Sequence, residues 1–352
     1  MTTLPLIYDF DLPSLSAMLS DWEEPEYRAR QLWQGLYRRL WDSPNQFTHL
    51  PVSLRQQLVE HFSFSSLRPA AELSSKDGET HKILFLLLDE QSIETVLMRY
   101  AQRRTLCIST QVGCGMGCVF CATGQVGFHR HLSSGEIVEQ VLYFARKLAA
   151  QGERVTNVVV MGMGEPFHNY QATLQAIDRL NHAEGFGFGE RRFTISTVGL
   201  VPLIRRFANE GRQINLAISL HAADDDLRSS ILPINRKYHL DLLMEACRDY
   251  VHKTHRRISF EWALIRNVND SPEQARRLGE RLRALRLNES SLSHVNLILL
   301  NPTQGYDGKP ATQERAHAFQ TVLKEFGIPC TIRLRRGIDI QAGCGQLAGK
   351  QT

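Results

Sequence analysis

Three cysteines within eight residues could bind a metal centre. Cys114, Cys118 and Cys121 have the spacing C-x3-C-x2-C, and neither a fourth cysteine nor a close histidine accompanies them. A structural zinc site takes four ligands, whereas three cysteines can bind three irons of a cubane cluster and leave the fourth iron open. The spacing therefore favours an iron–sulfur cluster with an open iron. A zinc knuckle with a distant fourth ligand is the alternative.

The cysteine loop follows the first of several predicted strands. Beyond Arg104, short β-branched runs alternate with helical stretches, which is typical of repeated βα units around a parallel sheet. Six strands are predicted, at 105–110, 155–161, 193–197, 214–220, 258–264 and 294–300, and a seventh short strand at 330–334. A capping box at Ser133 begins the first connecting helix, and the last helix covers about 312–326. The sequence therefore predicts an α/β fold with a partial (β/α)6 parallel barrel.

Unusual residues lie where the predicted strands end. The second strand is followed by the loop 162–166, the third ends near Ser196, the fourth ends at 219–221, and Asn301 follows the sixth. In parallel barrels the loops at the carboxyl ends of the strands carry the chemistry. We therefore expect all these residues to meet the cysteine loop at one mouth of the barrel.

Two smaller segments precede the barrel. Apolar residues at three- and four-residue spacing predict helix over about 24–61, with a new helix start at Pro51. β-type runs at 83–88 and 93–98 predict a hairpin. We expect a small N-terminal helical domain over 1–75, a β-hairpin linker over 76–104 and the barrel domain over 105–352.

The composition is that of a folded protein. Hydrophobic residues make up 43% of the chain and charged residues 22%, which excludes global disorder. The net charge of +4 permits a polyanionic partner without demanding one. No apolar run approaches the roughly 18 residues that cross a bilayer, and the start of the chain lacks the pattern of an export signal, so we expect no membrane association and a cytoplasmic location. Seven cysteines in such a chain indicate metal or redox chemistry rather than a disulfide framework.

The cysteine loop, with Phe120 directly before its third cysteine, resembles the signature of the radical S-adenosylmethionine (SAM) superfamily. The resemblance implies that Cys114, Cys118 and Cys121 bind a 4Fe–4S cluster, that SAM chelates its open iron, and that electron injection produces a 5′-deoxyadenosyl radical. It also implies a cofactor-binding set at the strand ends, which consists of Gly164, Glu165, Ser196, Ser219, Leu220, His221 and Asn301.

Over nearly its whole length the sequence resembles the RlmN/Cfr family of RNA adenine methyltransferases. The matching segments include 105–114, 162–166, 217–222, 233–235 and the C-terminal stretch 339–347. The resemblance implies methylation of a ring carbon of adenine in 23S rRNA, with C2 favoured over C8 and tRNA as a further candidate substrate. It also implies an electron donor such as flavodoxin or ferredoxin. The segment 299–302 reads Leu-Leu-Asn-Pro where C2-directed members usually have Pro-Trp-Asn-Pro, so Asn301 is kept while its flanks differ.

The proposed chemistry needs further thiols. The C2 and C8 carbons of adenine are bonded to electronegative nitrogens, so neither is nucleophilic enough to take a sulfonium methyl group directly. By resemblance, Cys344 carries the methyl group as a thioether, and Cys107 is the resolving thiol that forms a transient disulfide with it. Glu94 corresponds to the family's proton acceptor.

Alternatives remain open for the function and for single residues. A C8-directed methyltransferase, a radical SAM oxidoreductase or peptide-modifying enzyme without an RNA substrate, and a zinc protein that binds RNA without catalysis are the other functions considered. Cys107 could be a small core residue, His221 a satisfied interior histidine and Glu94 a solvated hairpin charge. Cys247 and Cys330 are assigned to packing.

RNA binding is expected on the N-terminal helices and beside the C-terminal loop. Basic side chains neutralise phosphates, and exposed aromatic rings stack unpaired bases. The candidate residues are Tyr27, Arg28, Arg30, Trp33, Tyr37, Arg38, Arg39, Arg333, Arg335 and Arg336. A solvated helix face is the alternative for the arginines.

Overall fold

The computed structural model describes residues 4–283, 285–287 and 290–349. The α-helices are α1 (Leu12–Asp21), α2 (Tyr27–Tyr37), α3 (Val52–His61), α4 (Ala122–Val126), α5 (Ser134–Ala149), α6 (Tyr170–Asn181), α7 (Val201–Asn209), α8 (Asp225–Ile231), α9 (Leu240–Thr254), α10 (Pro272–Arg283) and α11 (Gln313–Glu325). Short 3-10 helices cover Ile7–Asp9, Pro44–Gln46, Glu190–Arg192 and Pro233–Arg236.

The strands are β1 (Arg68–Ser74), β2 (Thr80–Leu86), β3 (Ser92–Arg99), β4 (Arg104–Cys107), β5 (Gln111–Gly113), β6 (Phe128–His131), β7 (Asn157–Val160), β8 (Phe193–Thr197), β9 (Asn215–Ser219), β10 (Ile258–Leu264), β11 (Arg286–Leu287), β12 (Ser290–Ser291), β13 (Ser293–Leu299) and β14 (Cys330–Ile332). Ten of them form one sheet in the order β1-β2-β3-β4-β7-β8-β9-β10-β13-β14. Two small sheets pair β5 with β6 and β11 with β12.

From β4 to β14 all neighbouring strands of the large sheet are parallel. Helices α5 to α11 connect them, which confirms the predicted partial barrel of six βα units and its short seventh strand. Parallel strands covered by helices are buried on both faces and read as apolar, β-branched runs. The four residues of β7 illustrate this, because three of them are valine and the register pairs Leu106 of β4 with Val158.

The first barrel strand is shorter than predicted. β4 ends at Cys107 rather than at residue 110, because the backbone N–H of Ser109 donates to the side chain of Gln140 on α5 (2.8 Å) instead of continuing the ladder. The chain then forms β5, which pairs with β6 on the far side of the cysteine loop. This small sheet supports both ends of the loop.

The N-terminal helices pack against the barrel through α5 and α6. The side-chain carboxylate of Asp9 accepts a hydrogen bond from the N–H of Gly135 (2.7 Å). The backbone carbonyl of Asp9 accepts one from the guanidinium of Arg179 (2.6 Å). Ser133 and Glu136 form the predicted capping box at the start of α5. Residues of the N-terminal helices and of the barrel belong to one continuous hydrophobic core. The division of the chain at residues 75 and 104 stays a prediction.

Three N-terminal expectations require correction. The helical stretch 24–61 consists of α2 and α3 with a 3-10 turn between them, and the predicted hairpin is extended by the unpredicted β1 into three antiparallel strands. Trp33 and Tyr37 cannot stack RNA bases, because each is only 1% exposed and their rings pack together with centroids 4.2 Å apart. Tyr27, by contrast, is 51% exposed.

A bilayer-spanning helix would have to be longer and more apolar than any helix in the described part of the chain.

Candidate active site

The cysteine loop turns tightly between β5 and α4. The N–H of Cys114 donates to the carbonyl of Gly127 (2.8 Å), and the N–H of Cys121 donates to the carbonyl of Cys118 (3.1 Å). Gly113 has a φ of +70°, and a β-carbon there would lie 1.8 Å from the Gly127 oxygen. Only glycine fits at this close approach of two backbones.

An apolar surface supports the middle of the loop. Val119 donates its N–H to the carbonyl of Ile231 at the end of α8 (3.1 Å), and Phe120 packs on the cluster of buried residues that includes Leu232. The ring of Phe120 meets the ring of His221 edge-on, with centroids 5.0 Å apart. The loop is therefore held between the segment that follows β9 and helix α8.

Burial makes the thiols of Cys114 and Cys118 poor anions on their own. It raises the pKa of Cys114 to about 12 and that of Cys118 well above its ordinary value, and the negative charges of Cys121 and Glu165 add to both shifts. A bound cation reverses this tendency, because metals bind the thiolate form.

The fit to an iron–sulfur cluster rests on the donor set. Within residues 4–283, 285–287 and 290–349, no three His, Cys, Asp or Glu side chains converge closely enough to hold a single metal ion. Each cysteine of a cubane binds a different iron, so three cysteines on one glycine-rich loop suit such a cluster.

The predicted Gly-Glu loop lies directly beside the cysteine loop. Gly164 has a φ of +102°, and a β-carbon there would lie 2.6 Å from that of Gln111. The N–H of Glu165 donates to the side-chain oxygen of Gln111 (2.8 Å), and the Glu165 carboxylate accepts from the N–H groups of Phe167 (3.0 Å) and Val198 (2.8 Å). Burial nevertheless raises the pKa of Glu165 to about 7.

The predicted residues of β8 and β9 also meet at this mouth. The hydroxyl oxygens of Ser196 and Ser219 are 3.3 Å apart. His221 has a φ of +60°, and its Nδ1 accepts the N–H of Ala263 (2.9 Å). Burial and the charge of Arg228 lower the pKa of His221 to about 3, so the ring is neutral at physiological pH.

The C-terminal loop brings Cys344 to the cysteine loop. The carbonyl of Gly345 accepts the N–H of Ala122 (2.7 Å), the residue that follows Cys121, and the carbonyl of Leu347 accepts the hydroxyl of Thr123 (2.5 Å). Asn301, after β13, donates its side-chain N–H to the carbonyl of Cys344 (3.0 Å). The cysteine loop near the start of the barrel domain and the C-terminal loop near its end therefore contact each other.

The charge of Cys344 acts on the thiol of Cys107. Burial is the main cause that raises the pKa of Cys107, and the charge of Cys344 raises it further. Cys344 is an exposed residue, and partial desolvation of its thiol together with the charge of Glu261 raises its pKa, while Arg333 lowers it. All seven cysteines are in the free thiol form.

Glu94 is a buried residue that holds the C-terminal loop. One carboxylate oxygen forms an ion pair with Lys82 (2.7 Å), and the other accepts the N–H groups of Ala348 (2.7 Å) and Gly349 (3.0 Å). Lys82 also donates to the carbonyl of Gln341 (3.2 Å). The pair therefore binds the chain on both sides of Cys344, and the interpretation of Glu94 as a solvated charge is wrong.

Sequence reasoning missed Lys82, Gln111 and Glu261. Glu261 is buried in β10 and accepts a hydrogen bond from Asn296 (2.7 Å). An acidic residue within the otherwise apolar run 258–264 is a signal that could have identified it. Lys82 offered a similar signal, because it interrupts a buried strand.

Comparisons with known proteins agree with this site. Residues 108–279 match the family model described as the radical SAM superfamily, and residues 6–63 match the "Ribosomal RNA large subunit methyltransferase N-terminal domain". The dual-specificity RNA methyltransferase RlmN 1 of Myxococcus xanthus is 52% identical over 97% of this chain and 93% of its own length. A probable dual-specificity RNA methyltransferase RlmN of Chloroflexus aurantiacus is 50% identical over 98% and 93%.

A crystal structure of a radical SAM methyltransferase from Sphaerobacter thermophilus has the same fold. It is 47% identical, covers 98% of this chain and 100% of its own, and superimposes with a TM-score of 0.94.

The barrel and its three-cysteine loop are those of a radical SAM enzyme. Within that class the chain belongs to the RlmN family of RNA methyltransferases, whose members use a 4Fe–4S cluster and SAM. This membership favours an RNA methyltransferase over a peptide-modifying enzyme and over a zinc protein without catalysis.

Proposed function

We propose that this chain methylates C2 of adenine in 23S rRNA and in tRNA, with Cys344 as the methyl carrier and Cys107 as the resolving thiol. The observation that supports this most directly is the backbone hydrogen bond between Ala122 and Gly345 (2.7 Å), which joins the neighbours of Cys121 and Cys344. The relatives of Myxococcus and Chloroflexus are named dual-specificity RNA methyltransferases, which agrees with two RNA substrates.

The proposed cluster ligands are Cys114, Cys118 and Cys121, and the proposed SAM contacts are Gly164, Glu165, Ser196, Ser219, Leu220, His221 and Asn301. When bound, the cluster and SAM supply a methyl group and a 5′-deoxyadenosyl radical. The Cys344 thiolate takes the methyl group from the sulfonium of SAM and becomes a thioether. This thioether would give up one hydrogen atom to the 5′-deoxyadenosyl radical, which would thereby become 5′-deoxyadenosine, and the thioether carbon would then bond to C2 of the ring.

Release of the product uses the second thiol. The radical adduct would then lose one electron, for which the oxidised cluster would be the acceptor, and its C2 proton, which Glu94 would accept. The Cys107 thiolate then attacks the Cys344 sulfur, and the electron pair of the broken carbon–sulfur bond stays with the carbon, which takes a proton to become the methyl group. The resulting disulfide needs two electrons from a reductant before the next turnover. We propose flavodoxin or ferredoxin as electron donor and the cytoplasm, a reducing compartment, as the location.

RNA binding is proposed for the N-terminal helical domain, 1–75, which the linker 76–104 joins to the catalytic domain, 105–352. Tyr27 is exposed and offers a stacking platform, and Arg28, which is ion-paired with Glu24 (3.7 Å), lies over its ring at 4.9 Å from the centroid. Arg30 is paired only loosely with Glu184, at 3.8 Å, and both side chains are exposed. Arg38 and Arg39 extend the same basic segment.

The test is an anaerobic assay with the reconstituted enzyme, SAM, a chemical reductant and transcripts of 23S rRNA and tRNA. Nucleoside mass spectrometry is expected to detect 2-methyladenosine and not 8-methyladenosine. Cys344→Ser is expected to abolish the product, and Cys107→Ala to trap a crosslink between protein and RNA, whereas the matched control Cys330→Ser stays active. Absence of any methylated adenine from a cluster-loaded enzyme, or full activity of Cys344→Ser, would refute the proposal.

A further inference from the structure

Arg228 is a fully buried arginine whose hydrogen-bond acceptors are all neutral. Its side chain is 0% exposed and donates to the carbonyls of Val198 (2.7 Å), Ser219 (3.3 Å) and Leu220 (3.1 Å) and to the side-chain oxygen of Asn235 (2.9 Å). Among the ion pairs of the described residues, none includes this guanidinium. Burying a charge is costly unless an opposite charge compensates it.

The charge lies directly behind the cysteine loop. Arg228 belongs to α8, whose last carbonyl, that of Ile231, accepts the N–H of Val119 in the middle of the loop (3.1 Å). Burial lowers the pKa of Arg228 to about 10, which still leaves it protonated at neutral pH, and a negative charge on Cys118 counteracts that shift. The negative charge of Asp225 also raises the pKa of Arg228, although its carboxylate forms no ion pair with the guanidinium.

We propose that Arg228 is a positioning residue for the redox state of the cluster, because its buried positive charge stabilises the reduced form. This inference rests on the proposed assignment of the cluster to Cys114, Cys118 and Cys121. An oxidised cubane core with three thiolates carries one net negative charge, and one electron from a low-potential donor adds a second. A fixed cation nearby favours the state with more negative charge, so Arg228 raises the reduction potential.

A purely structural role makes a different prediction. The guanidinium joins the ends of β8 and β9 to the segment around Asn235, so its loss destabilises the fold in either case. A lysine at this position keeps the charge while losing most of these hydrogen bonds, whereas glutamine keeps donors without the charge. The free energy of unfolding should therefore fall in both variants. The reduction potential of the cluster should fall only in the glutamine variant, which lacks the charge.

The experiment is a dithionite titration of the reconstituted holoenzyme, followed by electron paramagnetic resonance. Because it removes one buried unit charge behind the cysteine loop, Arg228→Gln is expected to shift the ratio of reduced to oxidised cluster about tenfold toward oxidised, which lowers the reduction potential by about 59 mV. Arg228→Lys stays close to wild type. Arg179→Gln is the matched control, because Arg179 is also buried, at 7% exposure, but its guanidinium donates to the backbone carbonyl of Asp9 in the N-terminal segment instead of lying behind the cysteine loop.

A second variant covers the case in which Arg228→Gln fails to fold. Asn235→Asp sets a carboxylate against the guanidinium and is expected to lower the potential in the same direction. An unchanged potential in a folded Arg228→Gln or Asn235→Asp enzyme would overturn the inference, as would an equal shift in Arg228→Lys. A wild-type chain without a cubane signal would contradict the proposed function instead, so the two failures are distinguishable.

Discussion

Replacement of Lys82 by methionine is expected to destabilise the fold by about 3–5 kcal/mol, because it leaves the Glu94 carboxylate buried without its cation. The side chains of Lys82 and Glu94 are 4% and 2% exposed, and the ammonium nitrogen lies 2.7 Å from the carboxylate oxygen. Glu94→Gln leaves the ammonium buried alone and should cost about as much, although its amide oxygen can still accept the N–H groups of Ala348 and Gly349.

The double variant separates the ion pair from other effects of the two substitutions. With both charges absent, no buried charge is left alone, so Lys82→Met with Glu94→Gln should cost less than the sum of the single variants by about 2–3 kcal/mol. Urea unfolding of the four proteins measures this coupling. The control pair, Arg205 and Glu245, is 41% and 54% exposed, and its coupling should not exceed about 1 kcal/mol.

The position of Cys344 supplies a second measurement on the same variants. Since Lys82 and Glu94 bind the chain on both sides of that cysteine, Lys82→Met should increase the rate of proteolysis within 341–349. It should also raise the amount of 5′-deoxyadenosine formed per methyl group transferred, because the radical then meets a displaced carrier. Additive stability effects, within about 0.5 kcal/mol, together with an unchanged proteolysis rate would refute the reasoning.

Further predictions concern single residues. The pKa of His221 is about 3 in the folded protein and about 6.5 in the unfolded chain, so the unfolded state binds a proton first as the pH falls. Acidification from pH 7 to pH 5 should therefore lower the free energy of unfolding of the wild type by about 2 kcal/mol. His221→Asn should not show this loss when both proteins are unfolded in urea. Trp33→Ala should lower the unfolding free energy by about 3–5 kcal/mol, whereas Tyr27→Ala should leave it unchanged within about 0.5 kcal/mol and weaken RNA binding in a filter assay. Gly164→Ala, whose new carbon would lie 2.6 Å from Gln111, should reduce SAM binding in equilibrium dialysis while the cluster absorbance stays normal.

The barrel was predictable because its signals are local. Valine-rich runs such as that of β7, and the capping box at Ser133, are set by neighbouring residues in the sequence. The same reasoning failed for Trp33 and Tyr37, which are four residues apart and therefore lie on one helix face. From the sequence alone, that helix face could face either the core or the RNA. In the structure the two rings pack against each other and within the hydrophobic core, so the face is buried.

The placement of the catalytic loop depends on contacts that carry no local pattern. Gln341, Ala348 and Gly349 are bound through their backbone groups by Lys82 and Glu94, across sequence separations of 254 to 259 residues. A backbone amide or carbonyl has the same chemistry at every residue, so nothing in the sequence of the loop indicates which side chain it will meet. Substitutions within the loop other than at Cys344 that preserve backbone conformation should therefore be tolerated, whereas Lys82 and Glu94, far away in sequence, should control where Cys344 lies.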